Sequence, residues 1–64
     1  MPGELTLRQK ETLYMAYSKG YFDFNRRIGL DGIAQEMGIS KKSVQATLRR
    51  GIEKIIEEYV FNNL

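Results

Sequence analysis

Apolar residues recur three or four positions apart along three stretches of this chain, and glycine-bearing segments separate them. At about 3.6 residues per turn this spacing predicts helices rather than strands. The first helix is expected over about Leu7–Ser18, with Leu13, Ala16 and Tyr17 on one face, Leu5 or Gln9 earlier on that face, and Tyr14 at its border. Thr6 reads as its N-cap, Gln9 three residues later completes a capping box, and Gly20 ends it. Met1–Leu5, with its Pro-Gly pair, reads as a short extended lead. Asp31 is the expected N-cap of a second helix over Gly32–Met37, with Ile33, Ala34 and Met37 inward. Ser40 is the expected N-cap of a third that continues to about Tyr59 or Phe61. The intervening GYFDFNRRIG has no helical period. It reads as a packed connector whose aromatics Tyr21, Phe22 and Phe24 cover the core.

The third helix carries two stripes. Val44, Leu48, Gly51, Ile52, Ile55 and Tyr59 share one face. Lys42, Gln45, Ala46 and Arg49 lie on a neighbouring face, which Ile56 and Val60 continue. That face is polar near the turn and apolar near the C-terminus, more apolar surface than three helices readily cover. The steps from Leu48 through Ile52 and Ile55 to Tyr59 also match a short heptad. Either this stripe folds back on the first helix, or it pairs with a second copy; the surplus apolar face and small size favour the homodimer, with Ile52, Ile55, Ile56, Tyr59 and Val60 at the interface. Gly51 in mid-helix costs roughly 1 kcal/mol relative to alanine. Either another helix approaches closely there, or the chain bends and a fourth helix begins.

The run LDGIAQEMGISKKSVQATLRR, residues 30–50, has the order of a helix-turn-helix. Ala34 is small enough for a close crossing, and Gly38 can take the left-handed conformation that ends a helix. Ile39 turns into the corner, and Val44 anchors the second helix of the pair. The expected fold is all-α: a helix-turn-helix domain of three to four helices with a long C-terminal helix. It spans 1–64 as one domain, with the helix-turn-helix unit at 30–50 and a dimerisation segment at 52–64.

Sixty-four residues place the chain among domains that need help to be stable, and without cysteine or histidine neither a disulfide nor the commonest metal ligands provide it. No metal or cofactor is expected. No nucleophile–base pair, phosphate-binding glycine loop or paired carboxylates point to an enzyme. No apolar run approaches membrane-spanning length and no signal-peptide pattern opens the chain, so a cytoplasmic protein without membrane contact is expected. The net charge of +2 is modest, but its distribution is not uniform. Lys41, Lys42, Arg49 and Arg50 lie in the acid-free stretch 39–52, whereas the tail carries Glu53, Glu57 and Glu58 against Lys54 alone.

A basic helix face is often only a solvated surface. Following a helix-turn-helix corner, it is better read as a surface for the major groove of double-stranded DNA. Lys41 and Lys42 occupy the first turn, where helix N–H groups also meet phosphate, and Ser43 is small enough to permit close approach. Lys42 reaches either a guanine edge or a phosphate. Gln45 suits adenine and Arg49 suits guanine, while Ala46 permits close approach or contact with a thymine methyl. Arg50 points off this face, toward phosphate or the tail acids. Arg26 and Arg27 are either a phosphate clamp or loop charges stacked on Tyr21 or Phe22. Arg8 and Lys10 are weaker candidates for phosphate contact.

Several segments together resemble a known family. LTLRQKETLYMAY at 5–17, AYSKGYFDFNRR at 16–27, then Ala34, Gly38-Ile39-Ser40 and Leu48-Arg49-Arg50 match the pattern of the archaeal bacterio-opsin-activator-type helix-turn-helix domain. The Gly-Tyr-Phe segment after the first helix is the specific part. Asn25 stands where the family usually has proline. The resemblance implies DNA binding by the third helix and transcriptional regulation. Family members usually carry this domain at the end of longer regulators with sensory domains, and no sensing role is carried over. The expected protein is a sequence-specific DNA-binding regulator and homodimer. The alternative is a protein-interaction module of the same fold, docking on transcription machinery or a partner regulator.

Overall fold

The computed structural model describes residues 4–62. Met1–Gly3 of the expected lead, and the last two positions of the expected dimerisation segment, lie outside them. The described residues form α1 (Leu7–Ser18), α2 (Leu30–Met37) and α3 (Lys41–Ile56), and α3 runs on into a π-helical turn, Glu57–Phe61. The fold is all-α, with the expected long C-terminal helix. That helix reaches Phe61 but widens after Ile56.

Local chemistry sets the ends of α1. The Thr6 hydroxyl accepts from the Gln9 backbone N–H at 3.1 Å, and the Thr6 N–H donates to Gln9 Oε1 at 3.0 Å, a complete capping box. Lys54 Nζ, from α3, donates to the same Oε1 at 3.1 Å and to the Glu4 carbonyl at 2.9 Å. The cap is therefore also a tie between the first and last helices. At the other end, Gly20 takes φ +91°, the Gly20 N–H donates to the Tyr17 carbonyl and the Tyr21 N–H to the Ala16 carbonyl. This is a Schellman motif, and it returns Tyr21 to the core.

The same motif closes α2. Gly38 has φ +69°, its N–H donates to Gln35, and the Ile39 N–H donates to Ala34. Ile39 packs on the core as expected. The start of α2 differs from expectation. Asp31 is not its N-cap; Gly29 is, and the helix begins at Leu30. Leu30 packs against the core, and Ile28 lies so close over Gly32 that a Cβ there would meet Ile28 Cγ1 at 2.6 Å. These apolar contacts on both sides of Gly29 carry the helix start forward, and Asp31 falls in the first turn, where its charge suits the helix dipole.

Ala16, Ile33, Ala34, Val44 and Leu48 form the buried centre, with Leu13, Met15, Tyr21, Ile28, Leu30, Met37 and Ile39 around it. Burial of each Val, Ile or Leu side chain contributes about 1.5–3 kcal/mol, so Ile33, Val44 and Leu48 dominate. Gln9 and Thr12 are buried with them. Thr12 is tolerated because its hydroxyl donates to the Arg8 carbonyl at 2.7 Å. Tyr17, expected inward, is 73% exposed and Tyr14, expected at the border, is 74% exposed. Once Gln9 and Thr12 turn in with Ala16, these tyrosines fall outside. Of the connector aromatics only Tyr21 packs on the core; Phe22 and Phe24 are exposed, because the connector turns tightly on hydrogen bonds from the Asp23 and Arg27 N–H groups to the Gly20 carbonyl.

Gly51 marks a close crossing rather than a bend. A Cβ there would lie 2.8 Å from Leu13 Cδ1, and α3 continues unbroken past it. Gln9 meets Lys54 and Leu13 meets Gly51, so α1 and α3 run in opposite directions. The part of α3 beyond Lys54 thus heads past the start of α1. Ile55 and Ile56, and Tyr59, Val60 and Phe61 of the π-helical turn, remain exposed; they do not fold back on the first helix.

Candidate nucleic-acid interface

Ser40 launches α3. Its hydroxyl accepts from the Ser43 N–H at 3.1 Å, in an extended conformation that makes it the N-cap. Val44, Leu48 and Gly51 then bury one side of the helix against α1 and α2. Periodicity fixes the rest. Lys41, Lys42, Ser43, Gln45, Ala46, Arg49 and Arg50 are all exposed. Lys42, Gln45, Ala46 and Arg49 lie side by side as a ridge opposite the anchored side.

Gln45 and Arg49 also border a shallow groove floored by Tyr21, Leu30, Leu48 and Ile52, with Glu53 at its far end. Ile52 is half-buried here, packed within its own chain. Tyr21 brings the connector to the flank of the ridge. The Arg26 guanidinium lies 4.2 Å from the Tyr21 ring centroid, and its Nε donates to the Tyr21 carbonyl at 3.1 Å. Tyr21 in turn meets Phe22 edge-on at 5.1 Å. Arg27 Nε donates to Asp23 Oδ2 at 3.0 Å. Arg26 is thus stacked on Tyr21, as one of the two expectations had it, whereas Arg27 is held by Asp23 instead; each guanidinium keeps further donors.

Two members of the expected set sit elsewhere. Lys41 Nζ lies 3.6 Å from Asp31 Oδ1, an exposed pair across the turn. Arg50 borders a different groove, with Gln9, Glu53, Lys54 and Glu57, on the flank away from Gln45. It lies among the tail acids. Sequence reading missed the Asp31–Lys41 pair because it assigned Asp31 to a cap. It missed Glu53 at the ridge end, although the four-residue step from Arg49 was there to read.

Among the described residues no helix is long and apolar enough to cross a membrane, and no group of histidine, cysteine and acidic side chains is arranged to hold a metal ion. What the fold offers instead is a capped helix, set by a glycine corner, that presents polar and basic side chains outward. These are the features of a helix-turn-helix DNA-binding protein. Comparison with protein families agrees: the helix-turn-helix DNA-binding domain of the bacterio-opsin-activator type matches residues 5–57, and the chain belongs to that family. The family is one of transcription regulators rather than enzymes. No curated protein and no solved structure gives a significant match to the chain.

Proposed function

We propose that this chain is a sequence-specific regulator that inserts the N-terminal half of α3 into the major groove of double-stranded DNA and acts as a homodimer. One observation carries the reading: the ridge of Lys42, Gln45, Ala46 and Arg49 is exposed on a helix whose opposite side is buried through Val44, Leu48 and Gly51. Gln45 pairs with adenine and Arg49 with guanine, Ala46 meets a thymine methyl, and Lys42 meets a guanine edge or phosphate. Lys41, Ser43 and the first-turn N–H groups hold one phosphate strand. Arg26 and Arg27 contact backbone beside the groove, and Arg50 reaches a more distant phosphate.

The homodimer reading rests on the exposed Ile55, Ile56 and Val60, with Ile52 and Tyr59 on the same helix. These apolar side chains lie where α3 runs past the start of α1. Paired tails would set two recognition helices on half-sites about 34 Å apart. Residues 1–64 then act as one unit, with the helix-turn-helix at 30–50 and the pairing segment at 52–64. An archaeal source and a cytoplasmic place of action belong to the same proposal.

Selection of bound sites from random duplex DNA tests it. A two-fold symmetric consensus is expected, with a log–log salt slope of about −4 to −5 for four to six phosphate contacts. Recovery of no consensus would overturn the reading. A second reading, docking on transcription machinery, is favoured by the exposed Leu7, Tyr14 and Tyr17 of α1. It predicts partner binding that changes little with salt.

A further inference from the structure

The ridge ends on a charge of the wrong sign for DNA. Lys42, Gln45, Arg49 and Glu53 follow one another by three, four and four residues, so all four share one line along α3. Gln45, Arg49 and Glu53 border the same groove. Glu53 is exposed, and no ion pair or hydrogen bond engages its carboxylate among the described residues. It is also the first acid after the acid-free stretch 39–52.

We propose that Glu53 is a specificity-determining residue: it ends the DNA-contacting ridge and restrains binding to arbitrary duplex. This rests on the major-groove reading above. From Lys42 to Glu53 the helix rises about 16 Å, whereas the major groove is about 12 Å wide. A helix seated by its N-terminal half therefore brings Glu53 toward the phosphates on the groove's rim. Repulsion there opposes deeper or shifted seating. At a cognate site the base contacts of Gln45 and Arg49 fix the register and outweigh it. At other sites only phosphate attraction remains, and the repulsion subtracts from it directly.

The test uses the full chain, a random-sequence duplex and the duplex recovered by selection, at low and high salt. Glu53→Gln is compared with Glu11→Gln, which removes an equal charge on the side of α1 turned from α3. At low salt Glu53→Gln is expected to tighten random-duplex binding about threefold to tenfold, the scale of one charge removed near a phosphate. It tightens cognate binding less, so the ratio of the two affinities falls, and the gain fades at high salt. Glu11→Gln stays within about twofold of the parent on both duplexes. Equal gains from the two variants, no gain, or weaker cognate binding by Glu53→Gln each overturn the proposal; the last makes Glu53 a reader of cytosine instead. Lys42→Ala and Arg49→Ala separate the two levels. If they weaken binding while Glu53→Gln changes nothing, only this inference fails. If they also change nothing, the major-groove reading fails and takes this one with it.

Discussion

The two ends of one helix obey opposite rules. From Lys41 to Ile52, α3 is sorted as physics asks of a domain surface: Val44, Leu48 and Gly51 are buried, and the polar side chains face out. From Glu53 to Phe61 five large apolar side chains stand exposed, interleaved with Glu57 and Glu58. What differs is the neighbour. The first half lies across α1 and α2, while the second runs past the start of α1. A helix buries what its surroundings reach, so the exposed half identifies where the fold leaves room for something else.

The largest expected effect comes from breaking the sorted half. Leu48→Ala removes a side chain only 4% exposed and should cost about 2–5 kcal/mol. A domain this small has little more than that in total, so thermal melting by circular dichroism should show a large loss of stability relative to the parent, of similar size at every protein concentration. Ile56→Ala should melt like the parent at high dilution. Equal destabilisation of both variants at every concentration would erase the distinction between the halves.

Next in size is the effect of charge in the exposed half. Ile56→Asp or Val60→Asp should leave the helical fold intact, since both side chains are over 40% exposed. Sedimentation is expected to show the parent as a dimer and each variant as a monomer. A parent that stays monomeric at high concentration would remove pairing as the use of this segment.

The ridge of the sorted half gives a third test. Arg49→Ala should cost roughly 1–3 kcal/mol of DNA binding and relax preference at one base position. Repeating the site selection with the variant checks this. Unchanged discrimination would leave Arg49 a phosphate contact only.

The contrast between halves also explains what could be read from the chain alone. The Thr6–Gln9 capping box, the Gly38 corner and the Ser40 cap each depend on residues within five positions, so their chemistry is written locally. The ridge followed from helical period once Ser40 and Val44 were placed. The inner face of α1 was legible at Leu13, Ala16 and Gln9, but hydrophobicity selected Tyr17 where the fold buries Thr12. Thr12 is satisfied by the Arg8 carbonyl, and Gln9 by Thr6 and by Lys54, whose tie spans 45 positions of sequence. The start of α2 was misread for a related reason: the packing of Leu30 and Ile28 outweighs the capping preference of Asp31.

The smallest expected effect concerns that displaced aspartate. Asp31 is 84% exposed and Lys41 59% exposed, so their pair adds little to stability, about 0–1 kcal/mol. Asp31→Asn also removes a favourable charge from the first turn of α2, worth about 0.3–1 kcal/mol. Melting should therefore fall slightly. DNA binding should move the other way. Asp31 competes with phosphate for the Lys41 ammonium, and removing it frees that charge at the entrance of α3. A fluorescence titration of the variant against random duplex should show about a twofold gain in affinity at low salt, and none once screening shortens the reach of Lys41. Weaker binding would mean that Asp31 positions Lys41 for the phosphate rather than withholding it, and the turn between α2 and α3 would then belong to the interface as an assembled unit.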